Sequence, residues 1–271
     1  MQQDCSRTRV REIFCRDSFA RMIVLVLLFP VLQAKYWIPS ELVVDFYEPS
    51  SVCKNLTFIR HAEGLHNIAE RQSPLGSNVL RKEHSGDQFV DAILSPLGEQ
   101  QSKALQSRLV QKHFDLIVVS PLRRTLQTAS IAFEKHRVAF LAEESCREIL
   151  DSFPCNQRHS ISSSRADFPH VDFNGIEHDA DPWFHSIQET RETIKERAKW
   201  FLNWLMTRQE SSIAVVSHSE FLFGMFKLFP QAYGEYSNLH TKPLNAEDRH
   251  FQLCRRPESP TVSGASPKQE L

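Results

Sequence analysis

Three short apolar runs, each closed by residues that can do chemistry, set the frame of this chain. Asn55-Leu56-Thr57-Phe58-Ile59 leads into Arg60-His61-Ala62. Leu116-Ile117-Val118-Val119-Ser120 leads to Pro121 and the pair Arg123-Arg124, and Ile213-Ala214-Val215-Val216-Ser217 ends in His218. Runs this short and apolar are the pattern of parallel strands buried on both faces. Between them the period changes to that of a helix. Ser95-Pro96-Leu97-Gly98-Glu99 predicts a helix start, with Ser95 as N-cap, Pro96 first in the helix, and Leu97, Ala104, Leu105 and Leu109 on one face. Ser120-Pro121 repeats the device, with Leu122, Leu126, Ala129 and Phe133 as the buried stripe. Val138 to Leu141 reads as an edge strand. A longer helix is predicted from about Trp183 to Met206 on Ile194, Ala198, Phe201, Leu202 and Leu205, with Trp200 and Trp204 as packing residues. The final strand at 213–217 is followed by a helix around Phe221 to Leu228. Strands alternating with helices predict an α/β fold with a mostly parallel central sheet. Such sheets keep their chemistry beyond the carboxyl ends of the strands, where the two histidines and the arginines fall.

The pattern also divides the chain. Arg7, Arg9, Arg11, Arg16 and Arg21 precede an apolar stretch from Met22 to Leu32, followed by Gln33-Ala34. Eleven residues do not comfortably span a bilayer. A basic region, a short apolar core and a small residue after it make residues 1–34 a signal-like or anchor leader, with a buried N-terminal element or an irregular extension as the alternative. Any membrane contact is expected through this segment alone. Pro39, Pro49, Ser50 and Ser51 make 35–53 a linker, and the folded domain is expected from Lys54 to Cys254. Gly64 to about Gly86 reads as a loop with a short helix near its start. The Ser-, Asp-, His- and Phe-rich segment 151–182 is too long for a plain loop and predicts a lid or insertion that governs substrate choice. Residues 255–271 are too polar to fold. They end in Lys268-Gln269-Glu270-Leu271, which resembles a retrieval signal of the endoplasmic reticulum lumen. With the leader, this favours the secretory pathway, lumenal or membrane-anchored, over the cytoplasm.

Composition changes this picture little. With 271 residues, 41% hydrophobic, 24% charged and a formal net charge of -1, the chain holds one large α/β domain with extensions and carries no general attraction for nucleic acid. Cys53, Cys146, Cys155 and Cys254 have no metal-type spacing and read as reduced, scattered thiols. The sequon Asn55-Leu56-Thr57 overlaps a strand and is expected to be silent.

The chemistry lies in a joint pattern: Arg60-His61 with Glu63 and Asn67, the run Ser120-Pro121-Leu122-Arg123-Arg124-Thr125-Leu126-Gln127-Thr128, and Ser217-His218-Ser219. This combination resembles the histidine phosphatase, or phosphoglycerate mutase-like, superfamily over roughly residues 54 to 229. The resemblance implies a three-layer α/β/α sandwich and a phosphohistidine enzyme that needs no metal or other cofactor. It makes His61 the nucleophile and places Arg60, Arg124 and His218 around the transferring phosphoryl group. Asn67 becomes a phosphate donor and Glu148, in Arg147-Glu148-Ile149-Leu150, the general acid. The residue types suit the task, because phosphoryl transfer leaves charge on peripheral oxygens that guanidinium forks and imidazoles can hold. Spacing alone leaves Arg123 and Arg124 equal, and the family pattern selects Arg124. The helix start at Pro121 is expected to point free N–H groups at an anion. Arg158, with His159, is a further candidate for substrate contact. His61 and His66 are not one helical turn apart and lack a third ligand, so no metal is expected. Two departures stand out: Ala62 where glycine is common, and Ser219-Glu220 after His218, where Glu220 is expected to point outward.

The partner implied is a small phosphorylated substrate, with phosphatase as the leading activity. A phosphoglycerate-type mutase is the alternative, as is a non-catalytic phospho-ligand binding module on the same fold. Nothing in the sequence names the substrate or the oligomeric state.

Overall fold

The structure is a computed structural model that describes residues 42–44, 52–184, 187–229, 239 and 241–255. The leader, most of the linker and the polar tail with its last four residues lie outside the described residues. Among the described residues no helix is long and apolar enough to cross a membrane.

Seven strands form one sheet: β1 (Leu42–Val44), β2 (Val52–Arg60), β3 (Leu116–Val119), β4 (Ala139–Ala142), β5 (Val171–Asp172), β6 (Ser212–Ser217) and β7 (Asp248–Arg255), in the order β1-β7-β2-β6-β3-β4-β5. The pairs from β2 through β6, β3 and β4 to β5 are parallel, whereas β7 runs antiparallel to both β1 and β2. Among the described residues seven α-helices accompany them: α1 (Leu65–Gln72), α2 (Lys82–Ser85), α3 (Pro96–Leu109), α4 (Arg123–Ala132), α5 (Ile161–Asp167), α6 (Arg191–Thr207) and α7 (Ser219–Phe226).

Alternation along the central strands divides the core into two. Leu56, Phe58, Leu116, Val118, Ile213 and Val215 pack with Phe201, Leu202, Phe221 and Phe226 of α6 and α7. Their neighbours Ile59, Ile117, Val119, Ala214 and Val216 pack with Leu105, Leu109, Leu126 and Ala129 of α3 and α4 on the other side. Successive side chains of a strand face opposite ways, so a run without polar interruption must be covered twice. That produces the α/β/α sandwich.

Several expectations are corrected. β4 is flanked by β3 and β5 and is not an edge strand, because the 151–182 segment contributes the two-residue β5 to the sheet as well as α5. The sheet also continues past the predicted domain limits. β7 was not predicted, although Arg249, Phe251 and Leu253 alternate buried along it, and β1 pairs with it from within the supposed linker. α6 begins at Arg191 and not near Trp183: Thr190 accepts from the Thr193 amide as its N-cap, while Asp181 accepts from the amides of Trp183 and Phe184 in a separate turn. Cys53 and Cys254 are not free thiols; facing each other across β2 and β7, they form a disulfide. Cys146 and Cys155 are buried and unbonded.

Candidate active site

Register brings the site together. Arg60 pairs with Ser217 across β2 and β6, and Val119 pairs with Val216 across β3 and β6, so His61 and His218 leave adjacent strands at the same level and Ser120 leaves the next strand one residue earlier. The His61 amide donates to the Ser217 carbonyl at 2.9 Å, and the imidazole centroids of His61 and His218 lie 5.1 Å apart.

His61 is almost wholly buried, and its Nδ1 lies 2.7 Å from the Ala62 carbonyl oxygen. A carbonyl only accepts, so Nδ1 carries the proton and Nε2 keeps its lone pair. Burial holds this imidazole well below the ordinary histidine range, with the charges of Arg124 and Arg60 and the neighbouring His66 adding to the effect. The ring is therefore neutral and nucleophilic. His218 is buried too, and burial followed by Arg124, His61 and His66 likewise depresses its ionisation. Its Nε2 lies 2.7 Å from Ser120 Oγ, while its Nδ1 is buried without a partner. The Ser120 hydroxyl is thus committed to this imidazole and does not cap a helix as predicted; α4 starts later, at Arg123, with Leu122 in the N-cap position.

Arg60 and Arg124 supply the guanidinium groups. Arg60 Nη1 donates to the Pro243 carbonyl, and Arg124 donates through Nη1 to the Cys155 carbonyl and through Nη2 to Asn156 Oδ1 at 3.0 Å. In both the Nε–H is buried and unsatisfied. A buried donor without a partner leaves room for an acceptor that the protein does not supply. Asn156 is itself held by Asp151, whose Oδ1 accepts from Asn156 Nδ2 at 3.0 Å, and burial pushes the Asp151 carboxyl up to about 6.

Glu148 is placed by its neighbours. Arg197 donates to the carbonyls of Ser145, Arg147 and Glu148, and the adjacent Arg147 grips Asp181 with both guanidinium nitrogens at 3.0 and 2.7 Å. Glu148 Oε1 accepts from the amides of Ile149, Glu220 and Phe221. Its Oε2 has no hydrogen bond among the described residues. Burial raises this carboxyl above the ordinary range against the opposing pull of Arg124 and the Ile149 amide. A proton held on Oε2 is then the one available for transfer.

Asn67 Oδ1 accepts from the Gly64 amide at 3.0 Å, which leaves its Nδ2 as the uncommitted donor. Glu63 and Thr128 have structural work: Glu63 binds Ser95 Oγ at 2.7 Å and Arg71, and Thr128 Oγ1 accepts from the Ala62 amide. Ala62 itself packs with Leu94 and Ala246. Glu220 is ion-paired with Lys242.

Two expectations fail here. Arg158 has no donor left for a substrate, since its guanidinium is engaged by Glu144 and by the carbonyls of His159, His178, Asp179 and Ala180. The first amide of α4 is not offered to an anion, because Arg123 N already donates to the buried Asp91 carboxylate. Sequence reasoning missed Asp151, Asn156, Asn245 and the role of Ser120. Asn245, whose Nδ2 donates to the His61 carbonyl, sits in a loop, and Asn156 closes the single 3-10 turn Pro154–Asn156, too short for a period that could mark it. Although three imidazoles approach one another, among the described residues no group of three or more His, Cys, Asp or Glu side chains could hold a metal ion.

The chain that carries these two buried imidazoles and two guanidinium groups has counterparts among known proteins. The model of the histidine phosphatase superfamily (branch 1) matches residues 56–244. The chain belongs to this superfamily. It is 34% identical over 214 residues to the phosphoglycerate mutase-like protein of Arabidopsis thaliana, covering 67% of this chain and 76% of that one. It is 26% identical over 179 residues to phosphoserine phosphatase 1 of Hydrogenobacter thermophilus, covering 60% of this chain and 70% of that protein. The ecdysone phosphate phosphatase of Bombix mori, solved in complex with tungstate, shares the fold with a TM-score of 0.50 at 16% identity, covering 80% of this chain and 98% of that one. Histidine phosphatase superfamily members therefore include phosphatases and mutase-like proteins among this chain's relatives.

Proposed function

We propose that the protein is a metal-independent phosphatase that hydrolyses the phosphomonoester of a small metabolite through a phosphohistidine on His61. The observation that carries this reading is the hydrogen bond from His61 Nδ1 to Ala62, which leaves a bare Nε2 beside two guanidinium groups and a second imidazole. Arg60, Arg124, His218 and Asn67 bind the phosphate dianion and the charge on its peripheral oxygens in the transition state. His61 Nε2 attacks phosphorus as the ester P–O bond breaks, and the leaving alkoxide takes the Glu148 proton. Water then attacks the phosphoramidate, returns a proton to Glu148, and the P–N bond breaks to release inorganic phosphate.

A mutase would use the same first step and return the phosphoryl group to the substrate. The mutase-like name of the Arabidopsis relative favours that alternative. Against it, Arg60-His61-Ala62-Glu63-Gly64-Leu65-His66-Asn67 departs from the Arg-His-Gly-Glu-Ser start that mutases of the family usually have. A non-catalytic binding module is disfavoured by the presence of both histidines and both arginines.

Incubation with an aryl phosphate tests the reading. The wild-type protein should release inorganic phosphate and form an acid-labile phosphoprotein, and His61→Ala should do neither. Phosphoryl exchange between phosphoglycerates with little phosphate release would assign the mutase, and absence of both would leave the binding module.

A further inference from the structure

A third histidine lies beside His61. His66, in the first turn of α1, is nearly as buried as His61, and the two ring centroids are 5.6 Å apart. Among the described residues neither of its ring nitrogens makes a hydrogen bond, and Nδ1 is fully buried without a partner. A buried imidazole that serves packing alone normally finds an acceptor or donor for at least one nitrogen. Here the protein supplies none.

The chain also makes room for this ring. A Cβ on Gly64 would lie 2.6 Å from His66 Nδ1 and 2.7 Å from Cε1, closer than real side-chain contacts allow. Gly64 has φ -96° and ψ 163°, an extended conformation open to any residue, so its backbone does not require glycine. The space taken by the imidazole does. With Nδ1 pressed toward the Gly64 backbone and no acceptor there, the proton of the neutral ring belongs on Nε2. Burial and the nearby charges of Arg124 and Arg60 keep the ring neutral until an anion enters.

We propose that His66 is a third substrate-contacting imidazole, donating from Nε2 to the phosphoryl group that His61 receives. This rests on the phosphatase reading above and extends it: the phosphate is met by three imidazoles, and Gly64 is the residue that seats the third. His66 is not a nucleophile, since it has no carbonyl to fix a bare Nε2 as Ala62 does for His61.

Inhibition by inorganic phosphate and by orthovanadate, with kcat and KM for an aryl phosphate, reads the contact in four proteins: His66→Ala, His66→Gln, Gly64→Ala and the Gly64→Ala/His66→Ala double variant. Loss of a hydrogen bond to a charged group should weaken both anions by about 10- to 100-fold in His66→Ala. His66→Gln, which keeps an N–H donor, should recover part of that. Gly64→Ala should weaken them comparably in the wild type and by less than about twofold once His66 is Ala, because groups that act through one contact are not additive. Unchanged anion inhibition in His66→Ala would overturn the proposal, as would an equal Gly64→Ala effect in both backgrounds. If His66→Ala does not fold, His66→Gln and Gly64→Ala carry the test. The rise in thermal midpoint on adding phosphate reads the same contact without turnover, so an inactive wild-type protein would count against the phosphatase reading and not against His66 as an anion ligand.

Discussion

Glu148 and His61 must hold opposite protonation states for the proposed reaction, and their surroundings arrange this. Burial raises the carboxyl above its ordinary value, and burial with Arg124 and Arg60 lowers the imidazole below its own. The competent form needs neutral His61, present above its lowered pKa, and protonated Glu148, present below its raised one. The pH profile of kcat/KM should therefore be bell-shaped, with an acid limb from His61 and a basic limb from Glu148. A pH profile of Glu148→Gln should lose the basic limb and about 10²-fold or more in rate on an alkyl phosphate, with a smaller loss on an aryl phosphate whose leaving group needs no proton. At this scale the sequence was informative wherever a residue sits at the end of a buried strand, as Arg60, His61 and His218 do. It was silent on Asp151, Asn156 and Asn245, which reach the site from loops and one short 3-10 turn whose path depends on tertiary contacts. Arg158 misled because an arginine near a serine-rich segment looks free until its carbonyl partners are seen.

Between residues and fold, the turn after β2 and the start of α3 are locked face to face. Ser95 caps α3 by accepting from the Gly98 amide while its hydroxyl donates to Glu63, and the Ser95 amide donates to the Glu63 carbonyl. A Cβ on Gly98 would sit 2.1 Å from that carbonyl oxygen, so α3 can approach the His61 turn only with glycine here. Gly98→Ala should cost about 1–3 kcal/mol, as overpacking does, read as a lower denaturation midpoint. It should also reduce kcat, because the displaced turn carries His61. The Ser-Pro start of α3 and its buried Leu105 and Leu109 were legible in sequence, whereas Leu97 and Ala104, read on the same face, are exposed and Gly98 and Ser102 are buried in their place. The same Ser-Pro signature failed at Ser120, where the hydroxyl was drawn to His218, and β7 was passed over because its polar alternation hides two apolar positions among Arg, His and Gln.

Across the molecule, the parallel centre of the sheet could be read from sequence because its strands are apolar throughout. Its antiparallel margin could not, since that margin depends on the return of residues 248–255 to the strand that begins the domain. The Cys53–Cys254 bond joins those distant segments, with a sequence separation of 201. Replacing either cysteine by serine should lower stability by about 2–4 kcal/mol, read as a lower thermal midpoint, and reductant should lower the midpoint of the wild type similarly while leaving that of the variant unchanged. Turnover at moderate temperature should persist, because no site residue lies on β7.

That bond has a topological consequence. Everything between residues 53 and 254, the proposed catalytic machinery included, belongs to one covalent ring, with both chain ends hanging from neighbouring points on it. A protease that cuts a surface loop of this ring once linearises it without releasing a fragment, so the nicked protein would keep its mass under oxidising conditions and fall into two pieces only after thiol treatment.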